Sequence, residues 1–341
     1  MKSDKTSILN KNRPSGRVLT MDMIRGIAII FMTIFHQWLI YRPDGIVGAI
    51  SIFLGYLAAP LFLSVSGMVV LFHEKKYRWP FKMVVHGLVL FSMAWSIDIL
   101  YHQTFKISWD IFQLIGAAYI ILGFSNYLGH GSKKYLSLSL LIIAWIFAPS
   151  IRPDQGVFPI WPFGAFFLGG YIFIHFAISR FNNFLNTVTL LSIIVAYTIY
   201  WAFIGKMPQI TSLYGILFAL GVVFLLTIVG FWVEEIVTLQ DVPFSFLIRF
   251  GTYPLSLYMG QQIVTRMGLN YHLYMKVTNI PLYDWMIQTV ILLTFLYLTT
   301  FIMDRVKFFG MEWWLRQIES KILKGMPQKV IFSAKLPPMR L

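Results

Sequence analysis

The chain has 341 residues, a formal net charge of +14, 57% hydrophobic and 12% charged residues, and no cysteine. A charged fraction about half that of a soluble domain, together with recurrent apolar runs of roughly 17 to 25 residues, excludes a soluble globular enzyme and points to a helical membrane protein. The runs are continuous rather than alternating, which excludes a β-barrel, and the lack of Cys removes disulfides, thiolate nucleophiles and Cys-based metal sites.

The first segment is polar and basic, with Lys2, Lys5, Lys11, Arg13 and Arg17. The apolar run behind it starts late, is long and has no small-residue cleavage pattern, so it reads as a retained span rather than a signal peptide. Ten spans are expected, at roughly 20–41, 46–72, 81–101, 109–128, 135–149, 158–179, 184–204, 213–236, 248–268 and 283–304. Lys and Arg crowd alternate connections, among them Lys75, Lys76, Arg78 and Lys82, then Lys133 and Lys134, then the segment after Arg305. That bias places both termini in the cytoplasm and accounts for the net charge without a nucleic-acid partner. The segment MEWWLRQIESKIL reads as an interfacial helix, with Trp313 and Trp314 at headgroup level, followed by a basic tail. The expected organisation is therefore all-α: a cytoplasmic segment 1–18, a transmembrane bundle 19–304, and an interfacial helix with tail 305–341, in the cell membrane.

Ionisable residues inside spans are costly and usually face a cavity or a partner. Here they are Asp22, Arg25, His36, His86, Asp98, His175, Glu234, Glu235 and Asp304. Most fall near span ends, where snorkelling explains them; His86 and His175 are expected to be structural. Arg25 and His36 stand eleven residues apart on one helix, which is three turns plus about 20°, so they share a face about 16 Å apart along the axis. Asp22 lies on nearly the same stripe and can pair with Arg25. Two readings fit this spacing: a helix-end Asp–Arg pair plus a hydrogen-bonded core histidine, or a functional column of acid, cation and imidazole. The histidines are scattered, and no metal site is arguable. The glycines of GAFFLGG read as small-residue packing, with Gly164 and Gly169 letting backbones approach.

RVLTMDMIRGIAIIFMTIFHQ resembles the first helix of a large group of membrane acyltransferases, in which an Arg, ten residues and a His recur; Arg25 and His36 match that pattern. LFLSVSGMVVLF resembles the second helix, with Ser66-Gly67 at a close-packed turn. WDIFQLIGAAYIILG, FPIWPFGAFFLGGYIF, RFGTYPLSLYMGQQIV and GMEWWLRQ resemble later elements in the same order. The ordered set is similar to the heparan-α-glucosaminide N-acetyltransferase-like proteins.

The resemblance implies transfer of an acetyl or other acyl group from cytoplasmic acyl-coenzyme A to an amino sugar or other glycan acceptor at the opposite face. His36 is then the catalytic residue, as a base or as a transient acyl carrier. Arg25 binds donor phosphate, since a guanidinium offers two parallel hydrogen bonds. Lys75, Lys76, Arg78 and Lys82 either assist or serve topology alone. Asp98 either orients His36 or is an interfacial aspartate satisfied by water or His102. Asp110 and Gln113 either bind the acceptor or cap a helix. Acetyl-coenzyme A is the expected co-substrate, and a homodimer is compatible with this reading. The rival is a proton-coupled transporter using the same buried charges. Such folds often show paired broken helices, and the sequence shows no matching interrupted segments.

Overall fold

The computed structural model describes residues 18–76, 80–102, 110–125, 160–180, 213–236, 245–271, 278, 280–306 and 310–324. Among them the protein is all-helical, with ten helices: α1 Leu19–Tyr41, α2 Gly45–Lys76, α3 Pro80–His102, α4 Ile111–Ser125, α5 Ile160–Arg180, α6 Leu213–Ile236, α7 Ser245–Thr252, α8 Pro254–Tyr271, α9 Pro281–Arg305 and α10 Met311–Lys324. The spans expected near 135–149 and 184–204 lie outside the described residues. Four stretches are long and apolar enough to cross a membrane: α1, Gly45–Val70 of α2, Gly215–Glu234 of α6, and α9. Phe81–Ser96, Ile111–Phe124 and Phe163–Ile174 are shorter apolar stretches. Along α9, Met286, Val290, Leu298 and Ile302 are exposed and spread over about half of the helix circumference, as a surface facing lipid would be.

Local chemistry sets the helix ends. The first turn of α1 receives a carboxylate from another helix: the Thr20 N–H and hydroxyl donate to Glu234 Oε2 at 3.0 and 2.5 Å. A negative group there satisfies an orphan donor and complements the helix dipole. α1 ends where Arg42 turns left-handed, with φ 46°, and donates its N–H to the Trp38 carbonyl. The segment expected as one span at 248–268 is two helices. Pro254 cannot extend α7 but suits the first position of α8, so the chain breaks at Tyr253. This is an interrupted segment that the apolar pattern concealed.

The helices meet backbone to backbone at glycines. A Cβ on Gly26 would strike the Leu247 carbonyl of α7, and one on Gly251 would strike the Asp22 carbonyl of α1. Gly67 lies against the Phe167 carbonyl and Gly170 against that of Ser64, joining α2 to α5. Gly87 and Gly116 join α3 to α4, each facing the other's carbonyl oxygen at 2.5 and 2.8 Å from an added Cβ. Small residues permit such approaches. Ser66 and Gly67 lie on a turn of α2 that packs closely on α5, as the resemblance implied. The close approach on α5 belongs to Gly170; its neighbour Gly169 faces the side chain of Leu220.

α10 is docked, not merely laid at an interface. Its Glu312 accepts from the Leu255 and Ser256 N–H groups at 2.7 and 3.0 Å, and from the Ser256 hydroxyl, so it caps α8. Further along, Glu319 pairs with His86 of α3. At the end of α9, Asp304 accepts from the Tyr253 hydroxyl at 2.6 Å and pairs with Arg249 of α7 at 3.1 Å. The start of α1, the end of α6 and the end of α9 therefore share one face of the bundle.

Candidate functional site

The stripe expected on α1 is built from two polar pairs. At its beginning, Arg25 Nη1 donates to Asp22 Oδ1 at 3.3 Å. Asp22 is buried, while the Arg25 side chain keeps 18% of its exposure. One nitrogen is used in this contact, and a guanidinium has five N–H donors. The pair is neutral overall, so it supplies direction to a bound phosphate more than net charge. Tyr119 of α4 is buried, with its hydroxyl in electrostatic reach of both Arg25 and Glu319. The His86 ring lies 4.9 Å from the Tyr119 ring. This end of the column thus gathers α1, α3, α4 and α10.

Three turns along α1, His36 Nδ1 accepts from Gln261 Nε2 of α8 at 2.7 Å. Gln261 is completely buried, and its Oε1 has no hydrogen-bond partner among the described residues. One turn earlier on α8, the Tyr258 hydroxyl donates to Asp110 Oδ1 at 2.5 Å. The same oxygen accepts from the Ile111 N–H at 2.6 Å, and Gln113 Oε1 accepts from the Asp110 N–H at 3.1 Å. Asp110 and Gln113 therefore both satisfy donors at the start of α4, Asp110 that of Ile111 and Gln113 that of Asp110. Phe112 stacks edge-on against Tyr258, 4.7 Å between ring centres. Tyr258 and Gln261 fall on one face of α8, so this helix holds His36 and the Asp110 cap together. α9 closes against the same part of α1 through Trp285 Nε1, which donates to the Ile34 carbonyl at 3.3 Å.

The expected residues are thus unevenly gathered. Arg25 and His36 share the α1 stripe, and Asp110 and Gln113 reach the same neighbourhood as His36 through α8. The backbone of Asp98 belongs to α3 and that of Lys75 and Lys76 to the last turn of α2, but their side chains, like all of Arg78, lie outside the described residues. His86 has a structural partner in Glu319, as expected of it; the side chain of His175 lies outside the described residues. Sequence reasoning missed Gln261, Tyr258, Glu312 and Glu319. For α8 the available signal was the set of polar residues Ser256, Gln261 and Thr265 within a stretch expected to span the membrane; all three are buried. Among the described residues, no group of three or more His, Asp and Glu comes together to hold a metal.

No curated protein matches the chain. A family model described as heparan-alpha-glucosaminide N-acetyltransferase, catalytic, matches residues 17–194, from the turn before α1 to beyond α5 and across Arg25, His36 and the Asp110 cap. That match spans more than half of the chain, which therefore belongs to the heparan-alpha-glucosaminide N-acetyltransferase catalytic family, a family of membrane acetyltransferases.

Proposed function

We propose that this protein takes an acetyl group from acetyl-coenzyme A at the cytoplasmic face and delivers it to an amino sugar or other glycan acceptor at the opposite face of the cell membrane. The observation that carries the reading is the α1 column in a member of this family. A guanidinium steered by Asp22 stands at one end, and a histidine held by a buried amide stands at the other.

Arg25, with donors beyond the one given to Asp22, would bind donor phosphate. Lys75, Lys76, Arg78 and Lys82 would supply the net positive charge that the Asp22–Arg25 pair lacks. Acetyl-coenzyme A supplies a thioester carbonyl. The acceptor nitrogen or oxygen attacks that carbon, the carbon–sulfur bond breaks, and the coenzyme leaves through sulfur. His36 takes the proton released by the acceptor and passes it to the departing sulfur, which balances the reaction. In the covalent variant, His36 carries the acetyl group between the two substrates. Asp98 remains a candidate second orienter of the ring, and Asp110 with Gln113 would shape the acceptor side while capping α4.

The test is acetyl-coenzyme A binding and release of free coenzyme A by the protein in liposomes, with and without glucosamine. Wild type should bind and turn over. Arg25→Ala should bind at least tenfold more weakly, and His36→Ala should bind normally without turnover. A wild type that neither binds nor consumes the donor would overturn the reading. The break between α7 and α8 favours one rival, a proton-coupled transporter, since such proteins use broken helices. Solute movement without donor consumption would select it.

A further inference from the structure

We propose that Gln261 is the positioning residue for His36, fixing which ring nitrogen carries the proton; this rests on His36 acting as a base. The contact is direct, at 2.7 Å, and reaches the ring through Nδ1 from a wholly buried amide. A neutral imidazole has one donor nitrogen and one acceptor nitrogen, and the partner of one decides the state of the other. In the geometry seen here, Gln261 Nε2–H donates to Nδ1, so the ring proton sits on Nε2. A ring in that form cannot accept a proton at Nε2.

Proton uptake makes the constraint sharper. Once Nε2 takes the acceptor's proton, both ring nitrogens carry hydrogen, and Nδ1–H needs an acceptor. Gln261 Nε2 would then oppose it, donor against donor. Gln261 Oε1 is buried, without a hydrogen-bond partner among the described residues, and belongs to the same amide. A half-turn of that amide brings Oε1 onto Nδ1–H with almost no change in shape, because its oxygen and nitrogen are nearly isosteric. As it turns, the ring gives its Nε2 proton to water and takes one from water at Nδ1, where Oε1 holds it, and Nε2 presents its lone pair to the acceptor. The geometry described above is the resting form, and the turned amide is the working one. A neutral amide does this without placing a second carboxylate in the membrane, where an unpaired charge is costly.

The test uses the full-length protein in nanodiscs with 15N-labelled histidine, the His36 signals being assigned by their loss in His36→Ala. At alkaline pH, where the ring is neutral, wild type with glucosamine present should show His36 protonated at Nδ1. Gln261→Glu retains an acceptor oxygen and should keep that form. Gln261→Met matches the length without hydrogen bonding and should lose it. In turnover, Gln261→Met should lower kcat at least tenfold with little change in KM for acetyl-coenzyme A, and Gln261→Glu should restore part of it. An Nε2-protonated ring in wild type with glucosamine present, or the same tautomer in wild type and Gln261→Met under that condition, would overturn the assignment. The tautomer is read whether or not acetyl-coenzyme A is consumed, so failure of this inference and failure of the acetyltransfer reading are separate results.

Discussion

Gly251→Ala tests the packing that sets the Arg25 end of the column. α7 meets α1 with no side chain between them, Gly251 over the Asp22 carbonyl and Gly26 over that of Leu247. A methyl group on Gly251 would overlap the Asp22 carbonyl oxygen well inside 3.0 Å, and the obstacle is main chain, so it cannot swing aside. Relief requires the helices to part by on the order of 1 Å or more, which as overpacking costs roughly 2–3 kcal/mol. The gain in helix propensity offsets at most about 1 kcal/mol, leaving a net loss of roughly 1–2 kcal/mol. Gly260→Ala is the internal control. It makes the same chemical change inside α8, but its nearest neighbour is the end of the Leu296 side chain at 3.9 Å. Propensity alone then stabilises it by roughly 0.5–1 kcal/mol. Unfolding midpoints from tryptophan fluorescence in one detergent at one scan rate should move in opposite directions. Because Asp22 would shift with α7, Gly251→Ala should also weaken acetyl-coenzyme A binding. A Gly251→Ala protein as stable as wild type would refute the backbone contact between α7 and α1.

Two further substitutions probe what α8 holds. Tyr258→Phe removes the 2.5 Å bond to Asp110 and leaves the Ile111 N–H on the same oxygen. It should lower stability by about 1–2 kcal/mol, and an unchanged unfolding midpoint would show that the bond carries nothing. Glu312→Ala strips the cap from α8 and unpins α10. Trypsin should then cut at the exposed Arg316 and Lys321 at least tenfold faster, and cutting at the wild-type rate would mean that α10 is held by other contacts.

How much of this was legible in the sequence depends on whether a feature lies within one helix or between two. The α1 stripe was legible because 3.6 residues per turn fixes the relative direction of Asp22, Arg25 and His36. The pairing of His36 with Gln261 was not, since it joins residues 225 apart and is decided by packing rather than periodicity. The Asp110 cap was legible as one of two readings because its partner is three residues away. The break at Tyr253 had a local sign in Pro254, hidden by an apolar run that continued across it. Glu319 looked like the solvent face of an amphipathic helix because nothing near it in sequence reveals His86.

The same division separates the family match from what lies behind it. Residues 17–194 contain Arg25, His36, His86 and Asp110; within that stretch Arg25 pairs with Asp22 and the Asp110 carboxylate takes the Ile111 N–H, but further partners come from outside it. His36 takes Gln261, Asp110 takes Tyr258, and His86 takes Glu319, all from α8 and α10. Each of these contacts reaches a buried or half-buried polar group, and a buried group left without its partner costs roughly 1–3 kcal/mol. α8 and α10 are therefore not an addition to a self-sufficient catalytic half. They complete its hydrogen bonding, and through Gln261 one of them also contacts the ring of the residue proposed to react.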